Sequence, residues 1–214
     1  MCKCWSKVLP QKGSGEGANA LTHLGGAVFA LSSIWLVWLA ADVSWQMAFG
    51  VVCFLFGMFF MFLSSTAYHW VREGRLKDAL RKCDHIRIYV MIACSYTPIL
   101  IGVVGGILGW TVFALQWAVV IAGTFYKIYA IGRYPRLSLA IYLIMGWSIV
   151  LIAEPVMKLL TPVTLWLLVA EGIAYTAGTW FFAHDARPHF HAIWHVFVLL
   201  GAIAHWGAVL SLIV

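Results

Sequence analysis

The sequence predicts an all-α integral membrane protein, a bundle of seven transmembrane helices with a cytoplasmic N-terminus and an external C-terminus. Three observations carry this reading. Hydrophobic residues make up 63% of the 214-residue chain and charged residues only 10%, whereas a soluble domain carries roughly 25% charged residues to cover its surface. The apolar residues gather into runs long enough to cross the hydrocarbon, which takes about 20 residues per helix. The basic residues fall in alternate loops, almost all on one side.

Taken in order, residues 1–18 form a polar cytoplasmic segment and 19–214 a single transmembrane domain. The stretch from Met1 to Asn19 lacks the apolar core of a cleaved signal peptide, so the first span is expected to be retained as its own insertion signal. Apolar runs follow at about 19–41, 46–70, 85–104, 109–129, 137–157, 162–183 and 190–213. Each is expected to be helical, because a backbone in lipid must satisfy its own hydrogen bonds. None shows the period-two alternation of a membrane barrel.

Lys3, Lys7 and Lys12 precede the first span. Arg72, Arg75, Lys77, Arg81 and Lys82 separate the second from the third, Lys127, Arg133 and Arg136 the fourth from the fifth, and Arg187 precedes the seventh. Of the 14 basic residues, 12 thus share one side, which the positive-inside rule makes cytoplasmic. Lys158 lies in an opposite loop and Arg87 just inside the third span.

The net charge of +6 therefore points to anionic lipid head groups as partners rather than to nucleic acid. Five scattered cysteines, Cys2, Cys4, Cys53, Cys83 and Cys94, give neither a disulfide framework nor a zinc knuckle. Trp5, Trp45, Trp70, Trp110 and Trp206 sit near span ends, as an interfacial belt requires. Glycine pairs such as Gly25-Gly26 and Gly105-Gly106 suit close helix packing.

Ionisable side chains within membrane segments are costly and mark function. His69 ends span two, Asp84 and His85 begin span three, and His189, His191 and His195 begin span seven. His23 lies in the first turns of span one, with Glu16 just before it. Spans distant in sequence thus bring polar groups to one leaflet. Ser65 and His69 are four residues apart, as are His191 and His195, so each pair shares a helix face. Two imidazoles at that spacing can hold one zinc ion. His69 supplies a third ligand and water the fourth position, the pattern of catalytic zinc, which lowers the pKa of its water towards about 7.

The segment from His191 to His195 lacks the glutamate of soluble metalloproteases. Asp84 is therefore the candidate base and Ser65 the candidate hydrogen-bond donor. His205 is about 15 Å along its helix from His195, too far to join them. His85, His184, His189 and His205 read as structural or interfacial. Glu171, in mid-span six, reads as a glutamic acid bonded to a neighbouring helix, with ion or proton movement as the alternative. Glu154 lies near the outer surface.

Four stretches together resemble the hemolysin III proteins of bacteria, within the progestin and adipoQ receptor superfamily. They run from Glu16 through Asn19, Thr22 and His23 to Gly25; from Ser64 and Ser65 through Tyr68 to His69; from Cys83, Asp84 and His85 through Tyr89 to Tyr96, Thr97 and Pro98; and from His191 through His195 to Gly201. Ala174, Tyr175, Thr176 and Gly178 add a weaker match. Glu171 departs from the pattern, standing where a small residue is expected.

The resemblance implies a seven-helix fold in the bacterial inner membrane. It also implies zinc on His69, His191 and His195, with the family's aspartate and serine at Asp84 and Ser65. Animal members have ceramidase-like activity, while the bacterial branch is linked to lysis of red cells and to membrane-lipid homeostasis. Three functions are thus expected in order: a zinc-dependent hydrolase of lipid amides or esters, a non-catalytic sensor or regulator with structural zinc, and, least, a cytolysin or channel.

Overall fold

Hydrocarbon leaves a backbone no solvent partner, and across residues 15–214, which the computed structural model describes, the backbone closes on itself in helices, with no strand. Lys3, Lys7 and Lys12, together with Cys2, Cys4 and Trp5, lie outside the described residues. The helices are α1 (Glu16–Ser32), α2 (Leu36–Val43), α3 (Trp45–Trp70), α4 (Arg75–Thr97), α5 (Gly106–Ala130), α6 (Pro135–Trp147), α7 (Ala153–Leu159), α8 (Pro162–Ala183) and α9 (Phe190–Ile213). Pro98–Val104 continues α4 as a π-helix, and a 3-10 turn at Ser148–Ile152 joins α6 to α7. Among the described residues, six stretches are long and apolar enough to cross a membrane, or seven if the bent pair of α1 and α2 counts as one span.

The breaks have local causes. Expected as one run at 19–41, the first crossing bends by 45° between α1 and α2. The hydroxyls of Ser32 and Ser33 both donate to Phe29 O at 2.8 Å, competing with the backbone where the helix ends. Pro98 has no N–H to give, and by the end of its turn Gly105 N–H reaches back five residues to Leu100 O at 2.9 Å. Gly105 and Gly106 then take positive φ values of 59° and 54°, which reverses the chain into α5. Proline opens α6 and α8, where its missing N–H costs nothing. Thr161 Oγ1 caps α8 by accepting from Thr164 N at 3.2 Å.

The helices form a ring in which α1 packs on α3, α3 on α4, α4 on α6, α6 on α8, α8 on α9, and α9 back on α1. α5 packs on α4 and on the π-helix that continues it. The outward faces are apolar: Ile107, Leu151, Trp166 and Ile144 are each at least 70% exposed, a surface that suits lipid and not water. Trp45, Trp70 and Trp110 project outward as belt residues, whereas Trp206 is half-buried against Phe29 and Trp35.

α3 and α4 pack closely, with Gly50 and Gly57 two turns apart on one face. A β-carbon at Gly50 would stand 2.6 Å from Pro98 Cα, and one at Gly57 2.6 Å from Cys94 Cβ. Gly50→Ala is therefore expected to destabilise the fold by about 1–3 kcal/mol through overpacking against backbone. Gly146→Ala, where a β-carbon meets nothing within 4 Å, should leave the midpoint unchanged or raise it. Melting midpoints of the two detergent-solubilised variants against the parent check both.

Candidate metal centre

The centre is assembled from helix ends. His69 occupies the last turn of α3, with Ser65 one turn deeper, and both are 2% exposed. α9 starts at Phe190 after a left-handed His189 (φ 66°), which leaves His191 and His195 on the same face of its first turns. Ring nitrogens of His69, His191 and His195 all lie within 4.8 Å of one another. His191 Nε2 and His69 Nε2 are 3.3 Å apart. Two Zn–N bonds of about 2.0–2.1 Å at a tetrahedral angle would set their nitrogens about 3.3–3.4 Å apart. The spacing therefore already fits a shared ion.

The far side of each imidazole fits equally well. His69 Nδ1 lies 2.5 Å from Glu16 Oε2. His195 Nδ1 lies 3.1 Å from Asn19 O, and His191 Nδ1 lies 3.7 Å from Asp185 Oδ2. An oxygen facing Nδ1 favours the tautomer with the proton there, which leaves Nε2 its lone pair. In that state the Nε2 lone pairs of His69 and His191 point at one another, an arrangement that requires a cation or a proton between them. Lys77 completes the outer layer, with Nζ 3.4 Å from Glu16 Oε1.

This layer is what the sequence reading missed. Glu16, Asn19 and His23 recur at spacings of three and four, the signature of one helix face, so the signal for α1 was present. Asp185 lies in the α8–α9 connection, and no spacing announces it. His23 is 3% exposed and stacks on His195, with ring centroids 3.6 Å apart at 11°. Among the described residues, neither of its ring nitrogens has a hydrogen-bond partner.

Asp84 stands beside the three histidines rather than among them. It is half-buried in α4 and interacts with His69 and with the Ser65 hydroxyl. Asp84, His191 and His195 share the wall of one cavity of about 950 Å³ inside the ring, whose lining is otherwise mostly apolar. Deeper in it, His205 Nδ1 meets Glu171 Oε2 at 2.7 Å, so Glu171 does bond to a neighbouring helix and His205 stays out of the cluster. Glu154 is exposed and pairs with Lys158 at 2.7 Å.

Residues 13–206 match the family described as haemolysin-III related. The chain is 38% identical over 199 residues to the "Hemolysin-3 homolog" of Bacillus subtilis (strain 168), covering 91% of this chain and 92% of that protein. It is 36% identical over 197 residues to "Hemolysin-3" of Bacillus cereus, covering 91% and 90%. It is 30% identical over 206 residues to the human "Monocyte to macrophage differentiation factor", covering 91% and 82%.

Glu16→Ala removes the oxygen that orients His69. Where the three histidines hold a metal ion, it is expected to weaken that binding about 10- to 100-fold, the usual cost of losing such an outer partner, with the fold retained. Competition against a zinc chelator of known affinity measures the change.

Proposed function

This chain belongs to the haemolysin-III related family, and on that premise we propose that it is a zinc-dependent intramembrane hydrolase acting on a lipid amide or ester. The observation that carries the reading is the convergence of three imidazoles at the edge of a largely apolar cavity, whose wall includes His191 and His195. His69, His191 and His195 would hold the ion through their Nε2 atoms. When bound, zinc would supply Lewis acidity, polarising the substrate carbonyl and acidifying a water.

The remaining roles fall to this chain's own groups. Asp84 accepts a proton from the attacking water and returns it to the departing nitrogen or oxygen as the C–N or C–O bond breaks. The Ser65 hydroxyl donates a hydrogen bond to the carbonyl oxygen as negative charge builds there. The apolar cavity takes the acyl chain and limits water near the site. We place this chemistry in a bacterial inner membrane, at its cytoplasmic face, within a single domain spanning residues 19–214.

The anchoring also favours a second reading. Glu16 and Asn19 on α1 tie His69 on α3 and His195 on α9 into one knot, and a zinc ion there could brace three helices without chemistry. The protein would then be a sensor or regulator of membrane state.

Asp84→Asn separates the two. Under the hydrolase reading it keeps about one zinc per chain and loses about 100-fold or more of the turnover of a panel of lipid amides and esters. The double variant His191→Ala/His195→Ala loses both metal and turnover. Under the bracing reading no turnover exists to lose, and the double variant loses its metal and shows a lower melting midpoint. Plasma mass spectrometry and product chromatography give the two readouts.

A further inference from the structure

The cavity has a second polar wall that the proposed chemistry does not use. Lys127, in the last turn of α5, is 1% exposed. Its Nζ donates to Ser138 Oγ at 2.7 Å and lies 3.4 Å from His85 Nδ1. The rings of Tyr126 and Tyr142 stand 5.4 Å away. None of these neighbours is an anion, and among the described residues no carboxylate pairs with Lys127, although buried charges are ordinarily paired.

Arg81 and Arg136 line the same cavity. The Arg81 guanidinium lies against Gly132 in the turn between α5 and α6, and among the described residues neither arginine is in an ion pair with a carboxylate. The cavity carboxylates have other neighbours: Asp185 pairs with His191 and Glu171 with His205, and Asp84 interacts with His69 and the Ser65 hydroxyl.

We propose that Lys127, Arg81 and Arg136 form an anion subsite that holds the phosphate or carboxylate head group of a single-chain lipid, with the acyl chain in the cavity. Lys127 donates to Ser138 Oγ and lies within hydrogen-bond reach of His85 Nδ1, which leaves at least one of its three N–H donors for the ligand. The arginine forks match the paired oxygens of either anion. Apolar walls continuous with the subsite, formed by residues such as Ile88, Leu139 and Leu143, select a lipid over a free ion. Lys127 lies against His85, the neighbour of Asp84, so the head group would sit within a turn or two of the proposed base.

The inference deepens the hydrolase reading by naming its substrate class as anionic. It is tested by binding without turnover, so that the two can fail separately. Oleyl phosphate, oleate and oleyl alcohol would be titrated into the full chain in neutral detergent, following tryptophan fluorescence. Both anions are expected to bind at least about ten-fold more tightly than the alcohol, as charge-assisted hydrogen bonds imply. Lys127→Gln/Arg81→Gln should abolish that preference, and Lys127→Arg should keep most of it.

The metal-free His191→Ala/His195→Ala variant should retain the preference, which excludes the metal centre as the anion's seat. Should Lys127→Gln fail to fold, Arg81→Gln/Arg136→Gln, at two exposed positions, is expected to reduce the preference at least three-fold. Equal binding of anion and alcohol by the parent chain overturns the proposal, as does a preference that survives Lys127→Gln/Arg81→Gln. Displacement of oleyl phosphate by millimolar inorganic phosphate would assign the site to a soluble ion and overturn it too.

Discussion

A polar atom at membrane depth is tolerated where another polar group answers it, and around His69 that demand joins the two ends of the chain. His69 lies on α3, its Nδ1 partner Glu16 on α1, and its Nε2 neighbour His191 on α9. Glu16 also takes Lys77 from the start of α4. Four helices thus meet through one carboxylate and one imidazole. The ring closes where α9 packs back on α1, and Asn19 O and His195 Nδ1 lie on that seam. If Glu16 is lost, the orientation of His69 and the seating of Lys77 are disturbed together.

Packing around this knot is uneven, and the unevenness creates the cavity. α3 approaches α4 as closely as glycine allows at Gly50 and Gly57. α6 instead touches α4 and α8 along short stretches only, at points such as the Trp147 Nε1 bond to Thr176 Oγ1 at 3.0 Å and the Tyr142 hydroxyl bond to His85 O at 2.9 Å. A bundle that was tight all round would leave no interior for a lipid chain. One with α3 and α4 apart would carry Asp84 away from His69.

Much of this architecture was legible in the sequence because hydropathy and helix period report on one chain segment at a time. The runs at 162–183 and 190–213 match α8 and α9, and the i, i+4 pair of His191 and His195 needed only the pitch of a helix. What escaped was set by other segments. The bend at Ser33 depends on hydroxyls competing for a single carbonyl. α4 starts at Arg75, well before the apolar run at 85, because its first turns carry the charged residues Arg75, Lys77, Asp78, Arg81 and Lys82, which suit a helix but not a hydropathy run. Asp185 reaches His191 from a connection with no periodicity. The face of Glu16, Asn19 and His23 was readable as a face, but nothing within α1 says which helix it meets.

The charge sorting inside the cavity bears on which proposed role is the more demanding. A bracing ion needs ligands and their outer partners, and the knot of α1, α3 and α9 would supply them with no interior space at all. It gives no reason for Asp84 to stand beside the histidines rather than among them, nor for the Ser65 hydroxyl to face Asp84 at that depth. It leaves Lys127 buried with no counter-anion among the described residues, an arrangement that lowers stability unless a ligand completes it. Catalysis on an anionic lipid gives each departure a use: the carboxylate free to move a proton, the hydroxyl near the carbonyl, the cations at the head group and the apolar volume for the chain. Structural economy alone would have removed these groups, and a hydrolase would use each of them.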